Sequence, residues 1–192
     1  MDSDIHPNIA PWLARHPPVP LSAAGAADYG TRAALLPFAR RGEVREYLVM
    51  RPAAKRPELG PPPFQIAKGK RMAWMNGRWA DAKTPPADAE IEELPMAALR
   101  EGREELGVLP EHIAAWYDCG GFPFASARTG ATKRMRVYAA AVGSREEILA
   151  HAPAANTTAA RQWMTLPEFT QSGRADHAAI VAEIETLLKT AT

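Results

Sequence analysis

Arg100-Glu101-Gly102-Arg103-Glu104-Glu105-Leu106-Gly107-Val108 is the stretch that decides how the rest of this 192-residue chain is read. On a helix, Glu101, Glu104 and Glu105 stand at i, i+3 and i+4 and so share one face. The residues before them, Leu94-Pro95-Met96-Ala97-Ala98-Leu99, bring apolar side chains and a proline suited to a first helical turn. A helix over 95–106 is therefore expected, with Gly107 as its left-handed C-cap. Three carboxylates on one face repel each other. A hard divalent cation among them relieves that repulsion, and Mg²⁺, which takes oxygen ligands, usually brings substrate phosphates with it. The plainer alternative is a solvated acidic face balanced by Arg100 and Arg103.

The surroundings favour the first reading. The stretch resembles the end of the Nudix box, G-x5-E-x7-R-E-U-x-E-E-x-G-U, where U is a bulky apolar residue. Arg100, Glu101, Glu104, Glu105, Gly107 and Val108 match, and Glu92 stands where the box has its first glutamate. Two features depart from the pattern. Gly102 takes a position that is normally bulky and apolar, at a cost of about 1 kcal/mol against alanine in a helix interior. Pro86 takes the place of the opening glycine. The segment Gln65-Ile66-Ala67-Lys68-Gly69-Lys70-Arg71 is similar to the usual lead-in, with Gly69 as the opening glycine. Residues 70–91 then separate Gly69 from Glu92, so the box is split by an insertion of about seventeen residues.

Composition sets the bounds. Hydrophobic residues make up 46% and charged residues 23%, an ordinary globular balance, and the length suits one domain with decorations. The expected division is an arm over 1–28 and a domain over 29–192, with the insertion at about 72–90. One cysteine, Cys119, excludes an internal disulfide framework and a cysteine-rich zinc site. Its plainest role is a small buried hydrophobe. A net charge of +1 carries no signal for nucleic acid or a membrane surface, and neither partner is expected. The acidic start has no apolar region after it, and no stretch approaches the ~18 apolar residues of a span, so a cytoplasmic protein is expected.

Along the chain, residues 1–28 are rich in Pro and Ala and read as an arm with a short helix around Ile9–Arg15, packed on the domain or on a partner subunit. Thr31–Arg40 and Glu43–Met50 read as strands joined at Gly42. Residues 52–63 form a loop too rich in proline for strand or helix, and its Lys55 and Arg56 read as solvated charges. Phe64–Ala67 reads as a short strand running into Lys68-Gly69-Lys70-Arg71. In the insertion, Asn76-Gly77 signals a hairpin turn. The flanking Trp74 and Trp79 either stack on a base or pack the hairpin onto the core. Gly120-Gly121-Phe122-Pro123-Phe124 reads as an irregular turn. Lys133–Val142 is a strand carrying Arg134 and Arg136 on one face, residues 144–149 form a helical turn, and Arg161–Phe169 resembles the closing strand and the start of the last helix of Nudix domains. Asp176–Lys189 is an amphipathic helix with His177 at its surface.

The resemblance implies an α/β/α sandwich with a mixed sheet and a hydrolase that cleaves a P–O–P bond in a nucleoside diphosphate derivative. It implies Mg²⁺, or Mn²⁺, held by Glu101, Glu104, Glu105 and the Lys68 backbone carbonyl, and an Arg100–Glu92 ion pair that maintains the loop–helix geometry. Lys68, Gly69, Lys70, Arg71, Arg134, Arg136, Trp74 and Trp79 are the candidates for substrate contact. Glu146 and Glu147 are candidates for a further ligand or base outside the box. Ala67-Lys68-Gly69-Lys70 is similar to the Pro-Lys-Gly lead-in of dinucleoside polyphosphate hydrolases, which slightly favours that substrate or an NTP-like one. Phe122-Pro123-Phe124 partly resembles arrays in NADH and ADP-ribose pyrophosphatases, and that alternative stays open. So does a nucleotide-binding module without turnover. A homodimer, a common arrangement in this fold class, would give the N-terminal arm a partner.

Overall fold

The structure, a computed structural model, describes residues 5–21, 32–75, 78–80, 85–126, 129–155 and 157–191. Its centre is β2 (Arg32–Arg41), whose run Ala-Ala-Leu-Leu-Pro-Phe-Ala is buried on both faces. Such unbroken burial is what a strand covered by helices on both sides requires. One edge of β2 pairs in parallel with β8 (Thr132–Val142). The other edge is shared between two antiparallel partners. β4 (Ala67–Lys70) takes Arg32 to Leu35, and β3 (Val44–Pro52) takes Phe38 to Arg41. Pro37 falls at the junction, where its missing N–H interrupts neither antiparallel ladder.

β1 (Val19–Pro20), β7 (Ile113–Ala125) and β9 (Thr158–Thr165) complete a mixed seven-stranded sheet in the order β1-β7-β8-β2-β3-β9, with β4 beside β2. One face is covered by α1 (Ile5–Arg15), α2 (Leu94–Leu106) and α3 (Arg145–Ala150) through Ile9, Leu99, Leu106 and Ile148. The other is covered by α4 (Leu166–Ser172) and α5 (Ala175–Thr190) through Phe169, Ile180, Val181, Ile184 and Leu188. The result is the expected α/β/α sandwich. No helix among the described residues is long and apolar enough to cross a membrane.

The N-terminal segment packs on the domain. Ile9 is buried, and Trp12 and Leu13 lie against the α2-side core. The Trp116 indole donates to the His16 carbonyl at 2.8 Å, and β1 extends the sheet beside β7. In the insertion, β5 (Ala73–Met75) and β6 (Arg78–Ala80) pair antiparallel with Trp74 opposite Trp79, and the Asn76-Gly77 turn itself lies outside the described residues.

Three local expectations need correcting. Gly120-Gly121 is not a turn: the strand runs on through it, with the register against β8 slipping between Asp118 and Gly121 and Gly120 at φ +90°. The glycines thus make a bulge within one long strand. The short strand expected at Phe64–Ala67 lies further on: β4 runs over Ala67–Lys70, and Phe64 and Gln65 make only isolated bridges. His177 is not a surface residue: it is fully buried, and its Nδ1 accepts from the Ile66 N–H at 3.0 Å, tying α5 to the chain just ahead of β4.

Gly102 has a packing reason. A Cβ there would lie 2.3 Å from Leu35 Cδ2 and 3.3 Å from Leu35 Cβ, so the glycine lets α2 press onto β2. Replacing it with the bulky residue that its position normally takes overpacks a filled core, at about 1–3 kcal/mol. Gly102→Leu is expected to lower the urea midpoint accordingly, and adding Leu35→Ala should return part of the loss. A Gly102→Leu protein as stable as the parent would overturn this account.

Candidate active site

The site forms where α2 crosses β4. α2 starts with Pro95 in its first turn. It ends on Gly107 at φ +71°, whose N–H and that of Val108 reach back to the Arg103 and Gly102 carbonyls. This double closure fixes the last turn, and Glu104 and Glu105 are in that turn. Gly69 on β4 lies directly under the helix. A Cβ on it would sit 1.7 Å from Glu101 Oε1, so no side chain fits.

Arg100 holds the carboxylates together. It is 2% exposed and its guanidinium is shared five ways. Nε and Nη2 donate to the two Glu92 oxygens at 2.9 and 3.1 Å. Nη1 donates to Glu101 at 2.7 Å and to Glu104 at 2.9 Å, and Nη2 also donates to the Lys70 carbonyl at 2.7 Å. Burial works against its charge, but the hydrogen bond to Glu92 and the charges of Glu101, Glu92 and Glu104 outweigh this and raise its pKa. Glu92, fully buried, accepts from the Met72 N–H at 2.9 Å and donates its own N–H to the Met72 carbonyl at 2.9 Å. Arg71 donates to the Glu92 carbonyl as well.

The remaining carboxylate, Glu105, accepts from the Lys68 N–H at 3.0 Å. Burial pushes the Glu101 carboxyl up to about 7, with Arg100 opposing the shift and Glu105 and Glu104 adding to it. Burial raises Glu105 too, against the pull of the Lys68 N–H and ammonium. The same burial lowers the Lys68 ammonium to about 8, Glu105 opposing and Arg174 and Arg32 reinforcing. Raised carboxylate pKa values side by side record charges without enough compensation. Among the described residues no three acidic, histidine or cysteine side chains stand as a finished metal cage. The donor set nonetheless fits a hard cation: three carboxylates on one helix face, one of whose oxygens, Glu104 Oε1, is buried without a hydrogen-bond partner.

No protein-family model matches the chain, and no curated protein matches it by sequence. Its fold does have relatives among solved structures. An Ap4A hydrolase from C. elegans in a binary complex superposes with a TM-score of 0.57 at 14% identity, covering 83% of this chain and 97% of the other. The NUDIX domain of Shewanella oneidensis NrtR, complexed with ADP ribose, gives 0.57 at 14% identity over 93% and 97%. RenU, a Nudix hydrolase from M. smegmatis, gives 0.51 at 14% identity over 84% and 88%.

The chain has the Nudix fold.

Within that fold the split box is closed. Arg71 and Met72 on one side are joined to Glu92 on the other by the bonds above, Lys70 is joined to Glu92 through Arg100, and Ala73 bridges to Ile91. The insertion leaves and returns at one stapled base, so Gly69, Glu92 and Arg100 meet despite their separation in the chain. The candidate substrate contacts are scattered more widely. Arg136 is committed to Asp118, donating from Nε at 2.9 and 3.0 Å and from Nη2 at 2.6 Å. Arg134 is exposed on β8. Trp74 is 41% exposed and meets Trp79 edge to face at 5.5 Å between ring centres, so Trp74 is not part of the core. Glu146 and Glu147 lie in the first turn of α3, where Ser144 caps the Glu147 N–H. Cys119 is buried, and burial pushes its thiol up to about 12, which suits an inert packing role.

Sequence reasoning missed Asp118 as the arginine clamp and Arg161 as a helix cap. Arg161 Nη1 donates to the Leu106 carbonyl at 2.6 Å and to those of Ile148 and His151 at 3.1 and 2.7 Å, closing the C-terminal ends of α2 and α3. Nothing in the local sequence around Arg161 signals partners so far along the chain.

The Glu101 shift has a sign. Its folded pKa lies above the ordinary carboxylate value, so between roughly pH 4.5 and 7 the folded state binds more protons than the unfolded state. This group therefore costs the metal-free protein stability as pH rises through that window. In EDTA, the melting temperature of Glu101→Gln relative to the parent should climb from pH 5 to pH 8, and Mg²⁺ should narrow the gap at pH 8. A difference independent of pH would remove Glu101 from this role.

Proposed function

We propose that this chain is a divalent-cation-dependent Nudix pyrophosphohydrolase that cleaves a P–O–P bond in a nucleoside diphosphate derivative. The observation that carries the reading is the single carboxylate face of α2, with Glu104 Oε1 buried and unpartnered above a strand that only glycine allows to approach. Glu101, Glu104 and Glu105, with the Lys68 carbonyl, would hold Mg²⁺ or Mn²⁺. When bound, the cation supplies Lewis-acid polarisation of a phosphate oxygen and acidification of a water.

The chain's own residues prepare the rest. Arg100 offsets the repulsion between Glu101 and Glu104 while it pins β4 to α2 through the Lys70 carbonyl, and the Lys68 N–H holds Glu105 beside them. Glu92 orients that guanidinium with a two-point contact, whose fixed geometry a lysine would not reproduce. Gly69 leaves room for backbone to approach a ligand. Lys68 and Lys70 bring positive charge to a substrate that carries several negative ones.

A dinucleoside polyphosphate or NTP-like substrate is the favoured class, supported by the Ala67-Lys68-Gly69-Lys70 lead-in and by the likeness to an Ap4A hydrolase. The likeness to an ADP-ribose complex supports an ADP-ribose or NADH-type pyrophosphatase as the second reading.

Phosphate release with Mg²⁺ over a panel of dinucleoside polyphosphates, nucleoside triphosphates, ADP-ribose and NADH tests both. Glu104→Gln and Glu105→Gln are each expected to reduce turnover by about 100-fold or more, the loss of roughly 3 kcal/mol of transition-state stabilisation. A wild-type protein that binds a nucleotide yet releases product from none would overturn the enzyme reading. Turnover unchanged in both variants would overturn the ligand assignment.

A further inference from the structure

On the face of β2 and β4 that turns away from α2, cations accumulate. Arg32 stands directly opposite Lys70 in the ladder, and Lys68 is the diagonal neighbour two residues back, so all three side chains leave the same face. Like charges opposed across a strand pair cost stability. Lys68 Nζ lies 5.7 Å and Arg32 Cζ 6.0 Å from the centre of the Phe124 ring. At the next residue, Arg174 Nη2 donates to the Ala125 carbonyl at 2.7 Å.

The carboxylates nearby are already engaged. Asp176 holds Arg174 at 2.7 and 3.1 Å and accepts from the Ala125 N–H at 2.9 Å. Glu105 takes the Lys68 backbone N–H. Lys68 Nζ has a neutral partner, Gln65 Oε1 at 3.3 Å. Among the described residues neither Arg32 nor Lys68 is within ion-pair distance of a carboxylate. Two half-buried cations near one aromatic ring, with no carboxylate in direct ion-pair contact and only the more distant charges of Glu105 and Asp176 acting on Lys68, make a place where an anion replaces lost hydration. Lys68 connects this place to the site on α2: its backbone holds Glu105, and its ammonium faces Phe124.

We propose that Arg32 and Lys68, backed by Arg174 and arranged about Phe124, form a second anion subsite that binds a phosphate of the substrate's chain beyond the anhydride held at the α2 carboxylates. It selects chains of three or more phosphates over a two-phosphate bridge. The choice of ligand rests on the pyrophosphohydrolase reading, but the binding test does not.

The test is calorimetric titration of inorganic tripolyphosphate into the full chain in EDTA at low salt, where no turnover occurs. Binding to the parent protein is expected. Arg32→Gln should weaken it about tenfold or more, and Arg32→Lys should retain most of it, because charge at this position is what counts. Arg56→Gln, which removes an exposed cation of the Pro-rich loop, should leave it unchanged. No binding by the parent, or equal losses in Arg32→Gln and Arg56→Gln, overturns the subsite. If Arg32→Gln alone loses tripolyphosphate while the parent hydrolyses no nucleotide, the subsite stands and the hydrolase reading falls. If nucleotides are hydrolysed and Arg32→Gln binds tripolyphosphate normally, the reverse holds.

Discussion

The rest of the structure depends on one buried guanidinium. Arg100 is nearly sealed from water, yet every direction in which it donates is occupied. A charge in that position persists only with such compensation, since an unpaired buried ion costs several kcal/mol. The constraint works in both directions. Arg100 cannot be accommodated unless the helix, the strand and the far side of the insertion all converge on it. In the absence of a cation, its guanidinium is what offsets the repulsion of the carboxylates gathered there. The ion pair is thus a condition on the fold as much as a part of the site, and it couples the assembly of the chemistry to the assembly of the core.

The parts of this arrangement that could be read from the sequence are those whose determinants are local. Three glutamates at helical spacing, a proline at one end and a glycine at the other specify α2 within thirteen residues. The passage of Arg161–Thr165 into a helix is expected from the family resemblance, and the structure closes it with a capping box between Thr165 and Glu168. The central pair β2 and β3 follows from the apolar runs Ala33–Ala39 and Tyr47–Met50 on either side of the Gly42 turn.

What could not be read depends on partners remote in the chain. His177 is buried because its ring answers an N–H 111 residues earlier, and a lone histidine at a helix start says nothing about that. The Gly120-Gly121 pair has the composition of a turn. Whether it reverses the chain or merely kinks it is decided by β8, which continues alongside. Gly102 looked like a weakness in the helix, and only the position of Leu35 on the neighbouring strand shows that it is a contact surface. Arg136 had the look of a free strand arginine until Asp118 was brought across from β7. In each case the side chain's chemistry was evident and its address was not.

The stapled base of the insertion has a consequence of a different kind. Because Met72 and Glu92 close a mutual hydrogen-bonded ring beneath the hairpin, the segment between them is, from the viewpoint of the domain, a loop with fixed ends. The entropy of closing such a loop grows only with the logarithm of its length, about 0.6 kcal/mol per doubling. Lineages of this fold could therefore lengthen, shorten or rewrite that excursion almost without thermodynamic penalty to the frame below. A surface next to phosphoanhydride chemistry would then be free to drift in sequence while the frame that holds the carboxylates stays under strict geometric control.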